Sequence, residues 1–210
     1  MNVGTAEKNR PKRGNSSYIA HRNPMGKEQL RTVLERLIDL RHPEIEQIID
    51  AFEPRHFAKK EFLIREGETE RFISFLVTGA VKVAIPQDGN ERILDFWFDN
   101  SFFSSYSSLL TLSPSRVYIQ ALTDTSILRL EARIFTQLYE TSLLANKIGR
   151  LIAEQLFMHK TRRERDFLTK SATERYKDLL ERHPAIVHTV PIRQIASYLG
   201  IHPESLSRIR

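Results

Sequence analysis

The last twenty residues of the chain, 191–210, contain the side chains whose types and spacing are best suited to contact another molecule. Two short helices are predicted there, and polar or charged residues take the outward positions of the second: His202, Glu204, Ser205, Ser207 and Arg208. These short or polar side chains can reach base edges in a DNA groove. An ordinary solvated helix face has a run of Lys and Glu instead. The pattern therefore predicts a DNA contact surface.

The two helices and the turn between them must hold that surface in place. Gly200 tolerates the positive φ of a tight turn, Ala196 lets the helices approach, and Pro203 fits the first turn of the second helix. Apolar residues follow at helical spacing: Ile195, Leu199, Ile201, Leu206 and Ile209. A hairpin in a helical bundle is the alternative, but such hairpins rarely combine these features. We therefore predict a helix-turn-helix.

A long helix is predicted over residues 142–168, just before this unit. After it, Ser171 and Glu174 have the spacing of a capping box, which predicts the start of a further helix. Six residues in the long helix step by four and three, which is the spacing of a coiled-coil seam: Leu144, Ile148, Leu151, Gln155, Met158 and Arg162. At 1.5 Å per residue the helix is about 39 Å long, which is more than a small barrel can cover. The seam is therefore predicted to form a homodimer interface. The alternative is that this face packs on the chain's own strands.

The segment from residue 56 to residue 130 has the period of β-strands. Short runs rich in Val, Ile, Phe and Tyr alternate with glycine-containing turns, and Val81, Val83 and Ile85 share one face of a predicted strand while Lys82 lies on the other. Several short strands of even spacing predict an antiparallel sandwich or barrel. Helical periodicity around residues 28–38 and 43–52 precedes the strands.

Three stretches of the chain resemble those of a known family. Residues 64–68 read Ile-Arg-Glu-Gly-Glu, residues 76–83 read Leu-Val-Thr-Gly-Ala-Val-Lys-Val, and residues 195–208 carry the helix-turn-helix pattern. From about residue 28 to residue 210 the chain resembles the Crp/Fnr family of bacterial regulators. The resemblance implies an α+β fold with three parts. These are an N-terminal antiparallel β-roll (a jelly roll of the cyclic-nucleotide-binding type), a long dimerisation helix and a C-terminal winged helix-turn-helix.

The implied domain organisation has a disordered basic tail at 1–27, a sensor domain at 28–141, the dimerisation helix at 142–168 and a DNA-binding domain at 169–210. The tail holds most of the net charge of +6, which is therefore weak evidence for DNA binding. Family members usually continue for another turn or more after the recognition helix. We therefore expect a DNA-binding domain that is truncated at its C-terminus.

By resemblance, Glu204 and Arg208 are the main base-reading residues, with Ser205 and Ser207 assisting. The chemistry agrees, because Arg can donate two hydrogen bonds to guanine O6 and N7, and Glu can accept one from cytosine N4. Some family members have a further arginine where this chain has Pro203. The preferred half-site is therefore expected to differ from theirs.

The sensor departs from the members of the family that bind cyclic nucleotides. Those members have a Gly-Glu pair for the ribose and an Arg-Ser pair for the phosphate. The matching positions here hold no Gly-Glu, and Arg116 comes one place late, which turns its side chain to the other face of a strand. The candidate effector-pocket residues are Ser104, Ser105, Ser115, Arg116 and His159. Cyclic AMP is not the expected ligand, the effector is unidentified, and no cofactor is expected.

Composition and motifs argue against an enzyme. The chain has no cysteine, and its seven histidines lack the spacing of metal-binding motifs. Phosphate-binding loops and nucleophile elbows are absent from the sequence. A metal-dependent β-barrel enzyme of the cupin type needs clustered His and Glu, but residues 72–122 contain no histidine. The sequence shows neither a membrane span nor a signal peptide, which predicts a cytoplasmic protein.

The leading hypothesis is a dimeric transcription regulator that binds an inverted repeat in double-stranded DNA and is either constitutive or controlled by a ligand other than cyclic AMP. RNA polymerase is a further candidate partner. The alternative is a β-barrel ligand-binding module without DNA binding, which gains weight because the chain ends at Arg210, close to the end of the recognition helix.

Overall fold

The computed structural model describes residues 24–38, 41–87 and 89–209. Most of the predicted basic tail lies outside these residues, and its last four positions, 24–27, belong to a helix. The first helices are α1 (Pro24–Ile38) and α2 (Ile45–Asp50). The strands follow as β1 (Glu53–Phe57), β2 (Phe62–Ile64), β3 (Phe72–Thr78), β4 (Ala80–Gln87), β5 (Asn90–Phe98), β6 (Ser101–Phe103), β7 (Tyr118–Ala121) and β8 (Thr125–Glu131), with α3 (Tyr106–Thr111) between β6 and β7. The later helices are α4 (Ala132–Thr141), α5 (Leu143–Thr169), α6 (Ala172–Arg182), α7 (Ile186–Thr189), α8 (Ile192–Leu199) and α9 (Pro203–Ile209).

The strands form two antiparallel sheets of four strands each, in the orders β1-β8-β3-β6 and β2-β7-β4-β5. Apolar side chains from both sheets meet between them: Phe57, Ile64, Leu76, Val81, Phe103, Ile119, Ala121 and Ile127. The predicted antiparallel sandwich is therefore confirmed. In β4, Val81 points into this core, and the next residue, Lys82, is buried on the opposite face, as the pleat requires.

A second core lies between the helices and the outer face of the first sheet. Residues of α1, α2, α4 and the first half of α5 pack there against Phe75 and Leu128. Gly149 of α5 allows a close approach to α4, because a Cβ at this position would overlap the ring of Tyr139. The N-terminal half of α5 is therefore fixed to its own chain.

This packing corrects part of the predicted dimer seam. Ile148 is only 1% exposed and belongs to the intrachain core, and Leu144 and Leu151 are half-buried against the same core. Gln155, Met158 and Arg162 are exposed. Ile148 was therefore wrongly assigned to a free interface, since spacing shows an apolar stripe without showing what it covers. The other five seam residues stay predicted interface residues.

Among the described residues, no helix has both the length and the hydropathy to cross a membrane. Within 24–38, 41–87 and 89–209, no three His, Asp or Glu side chains come together as a metal site.

Candidate nucleic-acid interface and sensor cleft

Helices α8 and α9 meet across a tight turn, as the helix-turn-helix prediction requires. Gly200 ends α8 with a φ of +70°, and Pro203 is the first residue of α9. Ala196, Leu199 and Leu206 are buried between the two helices and the rest of the fold. No strand follows α9 in the part of the chain that the structure describes, so the implied wing is not seen there.

The outward face of α9 is open to solvent. All five residues proposed to contact DNA are exposed: His202, Glu204, Ser205, Ser207 and Arg208. The Ser207 hydroxyl donates a hydrogen bond to the Pro203 carbonyl 3.1 Å away, which leaves its lone pairs free. Within the described residues neither Glu204 nor Arg208 forms an ion pair. Both side chains are therefore available to a ligand.

The junction between α5 and α6 fixes the position of these helices. The predicted capping box at the start of α6 is confirmed, with the Ser171 hydroxyl and the Glu174 carboxylate each accepting a backbone N–H of the other residue. The ring of Phe167 at the end of α5 lies between two guanidinium groups, 5.8 Å from that of Arg163 and 4.5 Å from that of Arg175. Arg175 also donates to the Leu199 carbonyl at 2.9 Å. Arg175 of α6 thus connects the end of α5, at Phe167, with the end of α8, at Leu199.

Helix α8 is also docked on β5, an edge strand of the second sheet. The Ser197 hydroxyl accepts the backbone N–H of Ile93 at 3.0 Å, and the rings of Phe96 and Tyr198 pack 5.2 Å apart. The apolar residues of both parts form one continuous core: Ala80, Ala84, Ile93, Phe96 and Leu122 from the strands, with Tyr176, Leu179, Ile186, Val190, Ile195, Ala196, Leu199 and Leu206 from the helices. The second sheet and the C-terminal helices α6 to α9 therefore share a hydrophobic interface.

A polar cluster around Glu91 borders this interface. Its carboxylate accepts hydrogen bonds from Lys82, which is 4% exposed, at 2.5 Å, from Gln194 of α8 at 2.7 Å, and from the Tyr118 hydroxyl. Burial alone would raise the pKa of Glu91, but these donors outweigh burial and hold the pKa below its ordinary value. Glu91 is therefore ionised at neutral pH and links the sheet to α8.

Stability should depend on the ionisation of Glu91. A carboxylate with a lowered pKa in the folded state stabilises the protein above its ordinary pKa of 4.5, and this contribution is lost as the pH falls through the folded-state value. We measure the free energy of unfolding by circular dichroism in urea at several pH values. For Glu91→Gln we expect it to fall less steeply than for the parent chain as the pH is lowered. The variant is also less stable at neutral pH, because Lys82 keeps its charge without a counter-ion. The exposed Glu154→Gln is the control, and an equal effect from it would contradict the assignment.

The five predicted effector-pocket residues do not form one site. Ser105 and Ser115 are buried, and their hydroxyls are hydrogen-bonded to each other at 2.8 Å. Arg116 is exposed and lies outside the interior of the sheets. His159 of α5 lies elsewhere, with Nε2 bonded to Asp95 Oδ2 at 2.7 Å. Of the five, Ser105 and Ser115 are bonded to each other, and the role of the five residues in binding an effector stays a prediction.

A large cleft with a volume of about 760 Å³ opens beside two of these serines. Ser104 and Ser105 form part of its wall, together with β5, α5 and two residues of α8, Ser197 and Tyr198. The α5 and α8 residues of this cleft were missed at the sequence level. They lie at least 49 residues along the chain from Ser104, and no spacing pattern connects them.

Buried Glu70 holds the short loop between β6 and α3, Ser104 and Ser105, beside the cleft. Its carboxylate accepts the backbone N–H groups of Arg71, Phe72 and Ser105 at 2.9, 3.0 and 3.4 Å. Burial raises the pKa of Glu70, although these N–H groups act in the opposite direction. The loop that borders the cleft is therefore fixed by internal bonds.

Comparison with known proteins gives one family match. Residues 54–142 match the cyclic nucleotide-binding domain family. A search of curated proteins finds no match to the sequence.

Solved structures share this architecture over most of the chain. FixK2 from Bradyrhizobium japonicum is 22% identical, with a TM-score of 0.62 over 75% of this chain and 82% of that one. A putative Crp/Fnr family regulator from Eubacterium rectale is 20% identical, with a TM-score of 0.62 over 85% of each chain. The c-di-GMP-responsive regulator CLP from Xanthomonas campestris is 20% identical, with a TM-score of 0.60 over 79% of this chain and 87% of that one. Residues 54–142 are therefore similar to cyclic nucleotide-binding domains, and the chain shares the fold of these solved structures.

Proposed function

We propose that this protein is a cytoplasmic transcription regulator that binds specific DNA sequences as a homodimer. The observation that carries the proposal is the open face of α9, whose polar side chains are exposed while Leu206 anchors the helix from behind. A recognition helix of this kind lies in the major groove with its side chains at the base edges. The role is one of binding, with no reaction at the site.

The dimer face that we propose is the outer side of α5. The helix carries large apolar side chains that its own chain leaves uncovered, among them Leu143, 91% exposed, Phe157, 66% exposed, and Leu168, 80% exposed. Leu143 and Phe157 are fourteen residues apart, which is two heptads, so they lie on one side of the helix. Exposed apolar side chains along one helix face support contact with a second copy.

A two-fold dimer places two copies of α9 on the same side of the DNA. Its target is then an inverted repeat with half-site centres about 34 Å apart, one helical turn. We would select bound sequences from a randomised DNA pool with the full chain. Recovery of an inverted repeat supports the dimeric regulator. A single half-site would contradict the dimer, and failure to enrich any motif would favour the ligand-binding module without DNA binding.

Phe157→Ser should weaken the dimer. It removes the burial of an aromatic ring at the proposed interface in each copy, which is worth about 2 kcal/mol per side chain. We expect a shift toward monomer in sedimentation velocity, with weaker binding to a full inverted repeat. Leu110→Ser is the matched control, because Leu110 on α3 is 65% exposed and lies away from α5. If both variants sediment as the parent chain does, the outer face of α5 is not the interface.

The proposed effector is a small ligand other than cyclic AMP. The hydroxyls of Ser105 and Ser115 satisfy each other, and the exposed Arg116 offers no cation to a phosphate inside the sheets. A buried phosphate without a cation is costly, because charged groups need a partner away from water. Isothermal titration with cyclic AMP should accordingly show no binding.

A further inference from the structure

We propose that a single halide ion of the size of chloride binds in a small cavity where α5, α6 and α8 meet. The cavity has a volume of about 30 Å³, which is room for one or two water-sized groups. Its walls come from the end of α5, from α6 and from Tyr198 and Leu199 of α8. In the described part of the chain, α9 contributes no residue to it, so the site does not depend on contacts with DNA.

Three arginines line the cavity, and none of them forms an ion pair among the described residues. Arg163 belongs to α5, and Arg175 and Arg182 belong to α6. The Phe167 ring lies 5.8 Å from the guanidinium group of Arg163 and 4.5 Å from that of Arg175. A ring face stabilises a cation in part, but it covers the plane of the guanidinium group and accepts nothing from the N–H groups at its edge. Three positive charges therefore converge on one small space.

Two donors at this junction have no acceptor. The Nε atoms of Arg163 and Arg175 are both buried without a hydrogen-bond partner among the described residues. Other nitrogens of the same side chains are paired, since Nη2 of Arg163 donates to the Tyr198 carbonyl at 3.2 Å and Nη2 of Arg175 donates to the Leu199 carbonyl at 2.9 Å. Buried N–H groups are almost always hydrogen-bonded, so an acceptor in the cavity would complete both arginines.

Two carboxylates also line the cavity, but other cations already bind them. Asp166 lies 3.2 Å from Nη2 of Arg165 and 3.4 Å from Nζ of Lys170, and Lys170 also pairs with Asp178. Burial acts to raise the pKa of Asp166, but these two cations outweigh it and hold the pKa below its ordinary value. Asp166 is therefore ionised at neutral pH and already compensated. The charge left over at the cavity is positive.

A halide ion fits these surroundings better than a water molecule or an oxyanion does. It accepts charge-assisted hydrogen bonds, which are about twice as strong as neutral ones, and it supplies a negative charge between the arginines. A water molecule is neutral, and it brings two hydrogens that need acceptors of their own. Sulfate and phosphate each have five non-hydrogen atoms, which is more than a cavity of about 30 Å³ holds. Bound between Arg163 and Arg175, the ion would join α5 to α6.

The first test is a titration of the full chain with chloride, in which gluconate keeps the ionic strength constant. Binding is followed by the line width of the chlorine NMR signal, which increases when the ion exchanges with a site on a protein. We expect a saturable increase with half-saturation on the order of 100 mM, because a single non-hydrogen atom contributes little binding energy. A line width that rises only in proportion to the protein concentration, without saturation by chloride, would overturn the proposal.

Three variants locate the site. Arg163→Gln removes one of the two buried Nε donors and should weaken chloride binding about tenfold. Arg182→Gln changes an exposed side chain that folding does not require, and it should weaken binding about threefold. Arg193→Gln is the control, because Arg193 is exposed on α8 outside the cavity, and its loss should leave binding unchanged. An equal effect of Arg182→Gln and Arg193→Gln overturns the assignment even if Arg163→Gln does not fold.

The second test measures stability and the size limit of the site. An ion that binds only the folded state stabilises it, so chloride should raise the urea midpoint of the parent chain and of Arg193→Gln more than that of Arg163→Gln. General salt effects are shared by all three chains and cancel in this comparison. Bromide should displace chloride, and sulfate at the same ionic strength should not. The same chloride dependence in all three chains would mean that water fills the cavity, and displacement by sulfate would mean that it admits a larger oxyanion. Either result contradicts a halide site.

Discussion

Replacing Arg208 by alanine should abolish the preference for one base pair in each half-site and weaken binding to the best site roughly 10- to 100-fold. A bidentate contact between arginine and guanine contributes about 1–3 kcal/mol of discrimination. Arg208 is exposed on α9 and forms no ion pair within the described residues, so its full hydrogen-bonding capacity is available to a base. Binding of the variant to a pool of single-base substitutions, measured by fluorescence anisotropy, gives the preference at each position.

The control for this substitution is Arg133→Ala. Arg133 lies on α4, its side chain is 73% exposed, and its one ion pair within the described residues is with Glu131. The Arg133→Ala variant loses the same positive charge at a position away from the proposed DNA interface. It should therefore keep both its affinity for DNA and its sequence preference. If Arg208→Ala weakens binding to every sequence equally, Arg208 contacts the phosphate backbone and does not read a base.

The second large effect is expected for Gly200→Ala, which should lower the free energy of unfolding by about 1–3 kcal/mol. Two costs combine at this position. The φ of +70° is unfavourable for alanine, and the new Cβ would overlap the Phe167 ring at the end of α5. Because the turn sets the angle between α8 and α9, DNA affinity should fall as well. Urea unfolding and DNA titration measure the two effects on the same preparation.

Two further variants separate the cost of the positive φ from the cost of the overlap with Phe167. Gly67→Ala introduces the same strain at a φ of +84°, with no heavy atom within 4 Å of the new Cβ, so it measures the backbone cost alone. Phe167→Ala combined with Gly200→Ala removes the overlap and should recover the difference between the two glycine variants. If Gly200→Ala costs no more than Gly67→Ala, the contact between Phe167 and the turn has no energetic role.

Local sequence was sufficient to predict the helix-turn-helix helices and the cap of α6. The residues that specify the turn lie close together in the sequence. Gly200 adopts the positive φ that the turn needs, and Pro203 is the first residue of the helix that follows. Alternation and glycine turns likewise predicted an antiparallel sandwich. These features depend on backbone geometry, which is set by near neighbours.

Interactions between distant segments were not predictable in the same way. The seam on α5 was chosen by spacing, but the first half of the helix has apolar residues on more than one side, and Ile148 faces its own chain. The cleft is lined by residues of β5, α5 and α8 that lie far apart along the chain, so no local pattern predicts it. Arg116 was expected to miss the interior of the sheets, and it is exposed. The wing and the dimer remain predictions.

The shared core between the sheet and α8 has a consequence for synthesis of the chain on the ribosome. Ile93 and its partner Ser197 are separated by 104 residues. Because the ribosome adds about 5–20 residues per second, the edge strand β5 is synthesised roughly 5–20 seconds before the helix that covers it. During that time its free backbone groups and the adjacent apolar residues Ala84 and Phe96 are open to pairing with other nascent chains. The C-terminal helices therefore also protect the second sheet from aggregation, and a fragment that ends after α5 would lack that protection.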